Sequence, residues 1–129
     1  MELELTLLVW SVLLLLVHIG LQSILLTRDT GREYNAGPRD EERPLGPLAG
    51  RAERALRNFL ETWPAFIALA LVVAVTGRSD GLTQWGAGLY LAFRIVYIPL
   101  YLLGIPYIRS MAWGVSLLGL LLMILGIFF

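Results

Sequence analysis

The chain has 129 residues, of which 57% are hydrophobic and only 16% are charged. Soluble domains carry about a quarter charged residues, so the composition indicates an integral membrane protein, with residues 1–129 forming a single domain. The absence of cysteine excludes disulfides, thiolate metal ligands and a protein thiol nucleophile. A formal net charge of zero disfavours nucleic acid as a partner, and no metal site is predicted.

Four apolar runs are long enough to cross a bilayer, which takes roughly 20 residues. Because backbone hydrogen bonds must be satisfied inside the lipid-exposed segment, each run is predicted to be a helix. The predicted fold class is therefore all-α, an integral membrane four-helix bundle with helices at about residues 3–27, 52–76, 82–103 and 109–129. We expect the first helix to be retained, since it opens with the acidic "MELELT" where a signal peptide is basic.

The connections between the predicted helices differ in length and charge. Residues 28–50 form a long polar loop rich in glycine and proline, and we expect it to be irregular. Most of the ten basic residues, all of them arginine, lie in or beside this loop, whereas the short connection at 77–81 has one. The positive-inside rule therefore places the loop in the cytoplasm and both termini outside.

Polar side chains on two predicted helices fall on one face each. Their spacing of three or four residues keeps each set within a narrow stripe, roughly 80° wide on the second helix. The stripe on the second helix comprises Arg51, Arg54, Asn58 and Glu61, and the stripe on the third comprises Tyr90, Arg94, Tyr97 and Tyr101.

Glu61 and Arg94 are predicted to form an ion pair. Charges inside a membrane usually face the bundle interior and pair with each other, and both residues are expected to lie deeper than Asn58 and Tyr101. The two stripes would then line a polar pocket near the cytoplasmic face. From the residues alone, the pair can equally be a structural contact that joins two helices.

Other features have structural readings. Arginines near the helix ends can be orientation signals that contact lipid phosphates. His18 is interpreted as a packing residue. Gly114 and Gly119 are spaced for close helix contact.

The segment "RAERALRNFLETWPAF", residues 51–66, resembles the signature of the MAPEG family, the membrane-associated proteins of eicosanoid and glutathione metabolism. The matching positions in this segment are Arg51, Arg54, Ala55, Asn58, Glu61 and Pro64. A second match is Arg94, Tyr97 and Tyr101. The resemblance covers nearly the whole chain and suggests a bacterial branch of the family, located in the inner membrane.

The resemblance implies a left-handed four-helix bundle that assembles as a homotrimer in contact with membrane lipids. It also implies glutathione as co-substrate, used to conjugate a hydrophobic electrophile or to reduce a lipid hydroperoxide. The implied glutathione contacts are Arg51, Arg54, Asn58, Glu61, Arg94, Tyr97 and Tyr101. Arg109, with Tyr97 or Tyr101 as hydroxyl donors, would stabilise the thiolate.

The sequence also departs from the family pattern. Leu56 stands where characterised enzymes carry His or Gln, Thr62 stands where one member has a tyrosine, and Arg109 is shifted by about one residue. Two other functions therefore remain open. One is a non-catalytic scaffold or lipid-binding protein of the same fold, and the other is a small transporter in which Glu61 carries a proton or contacts the substrate.

The arginine distribution makes a prediction about topology. With four crossings and the loop in the cytoplasm, a reporter fused after Phe129 is expected to behave as an external fusion, because both termini share the side opposite the arginines. Paired alkaline phosphatase and fluorescent-protein fusions measure this. A cytoplasmic C-terminus would contradict the assignment.

Overall fold

The computed structural model describes residues 1–40, 43 and 45–129. Within these residues it contains five helices and no strand: α1 (Leu3–Thr30), α2 (Arg32–Ala36), α3 (Pro47–Thr76), α4 (Gly81–Leu102) and α5 (Pro106–Phe128). All but α2 are long and apolar enough to cross a membrane. The predicted all-α, four-helix membrane bundle is therefore confirmed.

The structure differs from the predicted bounds mainly around the long loop. Helix α1 continues to Thr30, and α3 begins at Pro47, where proline costs little because the first helical N–H has no partner anyway. The five residues of α2 lie within the predicted irregular loop. Asn35 holds this short helix against α1 by donating to the hydroxyl oxygens of Thr27, at 2.7 Å, and Ser23, at 3.0 Å. Predicted loop residues 41, 42 and 44 lie outside the described residues.

The long helices pack in two close pairs, α4 with α5 and α1 with α3, and α3 and α4 connect the pairs. Among the described residues, α1 and α5 make no contact with each other. The core between the helices contains Phe59, Phe66, Tyr90 and Met123, all with no exposed surface. This arrangement turns the polar faces of α3 and α4 toward each other.

Close approach of α4 and α5 depends on glycine. A Cβ added at Gly119 would lie 2.5 Å from the backbone oxygen of Gly86 and 2.8 Å from the backbone nitrogen of Tyr90. The predicted packing role of Gly119 is thus confirmed. Gly114 has no atom within 4 Å of the corresponding position, so the structure gives it no such role.

At the end of the bundle opposite the loop, the carboxylates of Glu4 and Asp80 connect α1 to the start of α4. The carboxylate of Glu4 is fully buried and accepts hydrogen bonds from Ser79, at 2.9 Å, and Thr83, at 2.7 Å. Asp80 and Thr83 form a capping box at the start of α4. These contacts connect the beginning of α1 to the beginning of α4, and they place carboxylates at a helix N-terminus, where the helix dipole favours them.

The two glycines of α5 form a matched pair for a stability test. Gly119→Ala forces a methyl group against backbone, and we expect it to lower the free energy of unfolding by about 1–3 kcal/mol. Gly114→Ala meets open space and replaces glycine with a better helix former, so no loss is expected. Thermal unfolding in detergent measures both variants. An equal response of the two would contradict the close approach.

Candidate functional site

The polar stripes of α3 and α4 face each other in antiparallel register. Polar residues later in α3 therefore contact residues earlier in α4. From the loop end inward, the contacts are Arg51 Nη1 to the backbone oxygen of Leu102 at 3.2 Å, Arg54 Nε to Tyr101 Oη at 3.3 Å, Arg94 Nη1 to Asn58 Oδ1 at 2.8 Å, and the Thr62 and Tyr90 hydroxyls at 2.9 Å.

Arg94 is the central residue of this arrangement. Its side chain has no exposed surface, and its guanidinium carbon lies 4.4 Å from the ring centroid of Tyr97 and 5.7 Å from that of Phe59. A guanidinium has five N–H donors, yet Asn58 is its only hydrogen-bond partner among the described residues. The Nε and Nη2 atoms are buried without a partner. Arg94 therefore retains buried donors that no group in the described part of the chain uses.

The predicted ion pair between Glu61 and Arg94 is wrong for the protomer. Among the described residues, neither forms a salt bridge with the other, and Glu61 is exposed. The register explains the difference: Asn58, one turn nearer the loop, lies level with Arg94, while Arg54 lies level with Tyr101. The expected depths were thus shifted by about one helical turn.

A cavity of about 280 Å³ opens beside these contacts, between α3, α4 and α5. Arg109 enters it from α5, with its guanidinium carbon 4.7 Å from the ring centroid of Tyr101. The rings of Tyr97 and Tyr101 lie 5.4 Å apart and are tilted by 53°. The lining residues are Asn58, Tyr97, Tyr101, Arg109, Ser110 and Trp113.

The turn between α4 and α5 positions Arg109. Gly104 has a φ of 71°, which glycine adopts without steric cost, and Pro106 begins α5. The guanidinium of Arg51 packs against this turn, since a Cβ on Gly104 would lie 2.9 Å from its Cζ. Arg51 therefore holds the end of α4 as well as contributing positive charge there.

The structure brings most of the predicted site residues together. Four line the cavity, Arg94 contacts two of these, and Arg54 contacts Tyr101. The exceptions are Arg51, which contacts the turn between α4 and α5, and Glu61, which is exposed and makes no hydrogen bond or salt bridge to the other site residues in the described part of the chain. Ser110 and Trp113 were not predicted as site residues, although they lie one and four positions after Arg109, and the four-residue spacing places Trp113 on the same helix face.

The cavity is positively charged. Among the described residues, the ion pairs are those of Arg28 with Asp29 and of Arg57 with Glu53, each at 3.2 Å. Arg54, Arg94 and Arg109 have no carboxylate within ion-pair distance in this part of the chain. Nor do the described residues contain a group of three acidic, histidine or cysteine side chains that could hold a metal ion. The site is therefore suited to an anionic organic ligand.

Together, the fold and the site define an integral membrane protein with four crossing helices and a cationic cavity between three of them. The chain belongs to the MAPEG family, whose family model matches residues 7–129. A search of the curated proteins found no match, and a search of the solved structures found none. Family membership supports, in general, a membrane function related to glutathione.

The register makes a prediction about coupling. Asn58→Ala and Arg94→Met each break the 2.8 Å hydrogen bond, so the free energies of unfolding of the single and double variants are expected to show an interaction energy of about 0.5–3 kcal/mol. Glu61→Gln combined with Arg94→Met is expected to be closer to additive. Thermal-unfolding cycles measure both pairs, and stronger coupling to Glu61 than to Asn58 would contradict the register.

Proposed function

We propose that this protein binds glutathione in the cavity and transfers it to a hydrophobic electrophile or uses it to reduce a lipid hydroperoxide. The observation that carries the proposal is a set of three arginines without a carboxylate partner among the described residues. Arg109 lines the cavity, and Arg54 and Arg94 contact the lining residues Tyr101 and Asn58. Glutathione carries two carboxylates, and guanidinium groups bind carboxylates through paired N–H donors. Membership of the MAPEG family supports the same ligand.

The roles of the binding residues follow from their positions. Arg94 offers two unpaired guanidinium nitrogens, and Arg54 is exposed beside Tyr101, so these two are proposed to hold the carboxylates. Asn58 keeps Arg94 in place and presents its amide group to the cavity. Arg51 adds positive charge at the end of α4.

The chemistry requires the thiolate of glutathione. A free thiol has a pKa near 8.5, and only the deprotonated form attacks. A cation beside the sulfur lowers the pKa of the thiol, and Arg109 is proposed to supply that cation, with the hydroxyls of Tyr97 and Tyr101 as hydrogen-bond donors. In conjugation, the sulfur forms a bond to an electrophilic carbon, and the displaced electron pair leaves with the leaving group.

Peroxide reduction would use the same thiolate. The sulfur attacks the outer oxygen of the hydroperoxide, the O–O bond breaks and the lipid leaves as an alcohol. The outer oxygen stays on the sulfur as a sulfenic acid. The thiol of a second glutathione attacks this sulfur, so the two glutathione molecules form a disulfide and the transferred oxygen leaves as water. Both reactions need a bound thiolate beside a hydrophobic molecule, which a membrane protein with this cavity can supply.

Assembly and location are part of the proposal. If the arginine-rich side is cytoplasmic, the cavity lies in the cytoplasmic half of a bacterial inner membrane, with both termini outside. Glu61 is exposed on a spanning helix in the single protomer, and a charge facing lipid is unfavourable. We propose that a second copy covers this face in a homotrimer, where Glu61 can contact the ammonium group of a glutathione bound between subunits.

The assembly is tested by native mass spectrometry of protein released from detergent. The exposed charge predicts a closed oligomer, and the family implies a mass three times that of the chain. Glu61→Leu removes the charge that the neighbouring copy is proposed to cover. The oligomer masses of this variant are compared with those of the wild type. A wild-type monomer that still binds glutathione would contradict the shared site.

Calorimetry and a thiolate titration separate binding from activation. Arg54→Ala removes a charge-assisted hydrogen bond worth roughly 1.5–3 kcal/mol, so a loss of about ten- to a hundredfold in glutathione affinity is expected. Arg109→Ala is expected to retain binding but to raise the pKa of the bound thiol, so that thiolate absorbance appears at higher pH.

Arg57→Ala is the matched control for Arg54→Ala. It removes an arginine from the same helix that pairs with Glu53 and does not line the cavity, so it is expected to leave glutathione affinity unchanged. If the wild-type protein binds no glutathione at millimolar concentration, the proposed function fails and a scaffold or lipid-binding role replaces it.

A further inference from the structure

Trp113 presents the largest aromatic ring among the described residues that line the cavity. Asn58, Arg109 and Ser110 are polar. The rings of Tyr97 and Tyr101 each lie against a guanidinium, that of Arg94 at 4.4 Å and that of Arg109 at 4.7 Å. Trp113 is 39% exposed, and its side chain makes no hydrogen bond to the described part of the chain. Among the described residues that line the cavity, Trp113 is therefore the aromatic side chain whose ring no guanidinium covers.

The position of Trp113 along α5 shows on which side of Arg109 its ring lies. Four residues separate it from Arg109, so it lies on the same helix face and about 6 Å further along the helix axis. From Pro106, α5 runs into the apolar interior, and no charged residue follows Arg109 in the sequence. Trp113 therefore lies where the wall of the cavity changes from cationic to apolar.

The geometry points to Trp113 as the surface that contacts the apolar part of the second substrate, a hydrophobic electrophile with a flat aromatic or conjugated group. The inference rests on the proposed function, because it assumes that the glutathione sulfur lies beside Arg109. A reacting carbon must come within about 3–3.5 Å of that sulfur, so the rest of the electrophile has to occupy adjacent space. Trp113 supplies an apolar contact there, and Asn58 and Ser110 do not.

The alternative is that Trp113 only anchors the helix at the membrane–water interface, where tryptophan and tyrosine are enriched. Tyr107 provides the matched control, because it lies near the start of the same helix, is 84% exposed and does not line the cavity. A residue that only contacts lipid headgroups would affect the stability of the protein in the membrane. It would not distinguish between ligands that differ only in the group attached to sulfur.

The test compares glutathione with S-benzylglutathione, which carries a flat apolar group on the sulfur atom and requires no turnover. Calorimetry in lipid nanodiscs gives the affinity ratio of the two ligands for the wild type, Trp113→Leu, Trp113→Phe and Tyr107→Leu. We expect the wild type to favour the benzyl conjugate. Trp113→Leu is expected to lower affinity for the conjugate by about two- to tenfold while leaving glutathione affinity unchanged.

The two remaining variants complete the comparison. Trp113→Phe is expected to retain most of the preference, because it keeps a flat ring, and Tyr107→Leu is expected to leave the ratio as in the wild type. Unchanged glutathione affinity also shows that each variant is folded.

The outcomes separate this inference from the proposed function. If Trp113→Leu binds both ligands as the wild type does, or if Tyr107→Leu shifts the ratio equally, the role of Trp113 is overturned while glutathione binding stands. If the wild type binds neither ligand, the proposed function fails and this inference fails with it. A preference lost in Trp113→Leu alone supports the assignment.

Discussion

The site depends on a guanidinium that is buried inside a membrane bundle and has one neutral hydrogen-bond partner among the described residues. Arg94 is fully enclosed, donates to Asn58 at 2.8 Å and lies against two aromatic rings. An uncompensated charge in a medium of low polarity is costly, so the surroundings have to be fixed around it. The register of α3 and α4 sets Asn58 beside this side chain, and the rings of Phe59 and Tyr97 enclose it. Two of its guanidinium nitrogens are left without a partner among the described residues.

Charge is separated along α4 in a way that suits the helix dipole. At its first turn lie the carboxylates of Asp80 and the buried Glu4, and near its last turn lie the guanidinium groups of Arg51 and Arg54. Acidic groups at a helix N-terminus and basic groups at its C-terminus are each stabilising. At the acidic end, Glu4 accepts from the hydroxyls of Ser79 and Thr83, and Asp80 accepts from the backbone N–H of Thr83. At the basic end, Arg51 donates to a backbone oxygen and Arg54 to a phenol. The two ends of α4 therefore carry opposite charge, and among the described residues the arginines at the basic end have no carboxylate partner.

Close packing of α4 and α5 is what completes the cavity. Because Gly86 and Gly119 let the two backbones approach, α5 lies near enough for Arg109 to reach the ring of Tyr101. The same approach brings Trp113 to the cavity wall. Helix association in membranes depends on packing between small residues rather than on the hydrophobic effect, so the geometry of the site rests on glycines that carry no chemistry themselves.

The sequence by itself determined the fold class, because the bilayer accepts only long apolar segments with internally satisfied hydrogen bonds. It also identified both polar stripes, because helical periodicity is a local property of the chain. Only the tertiary structure decided which levels of the stripes meet. Phe59, Phe66 and Tyr90 pack in one core cluster at the observed axial offset between α3 and α4. This offset places Arg94 beside Asn58 rather than beside Glu61. Packing also decided that Gly119, and not Gly114, makes the close contact, and that Trp113 shares a wall with Arg109. These are relations between separate helices, and no spacing within one helix can specify them.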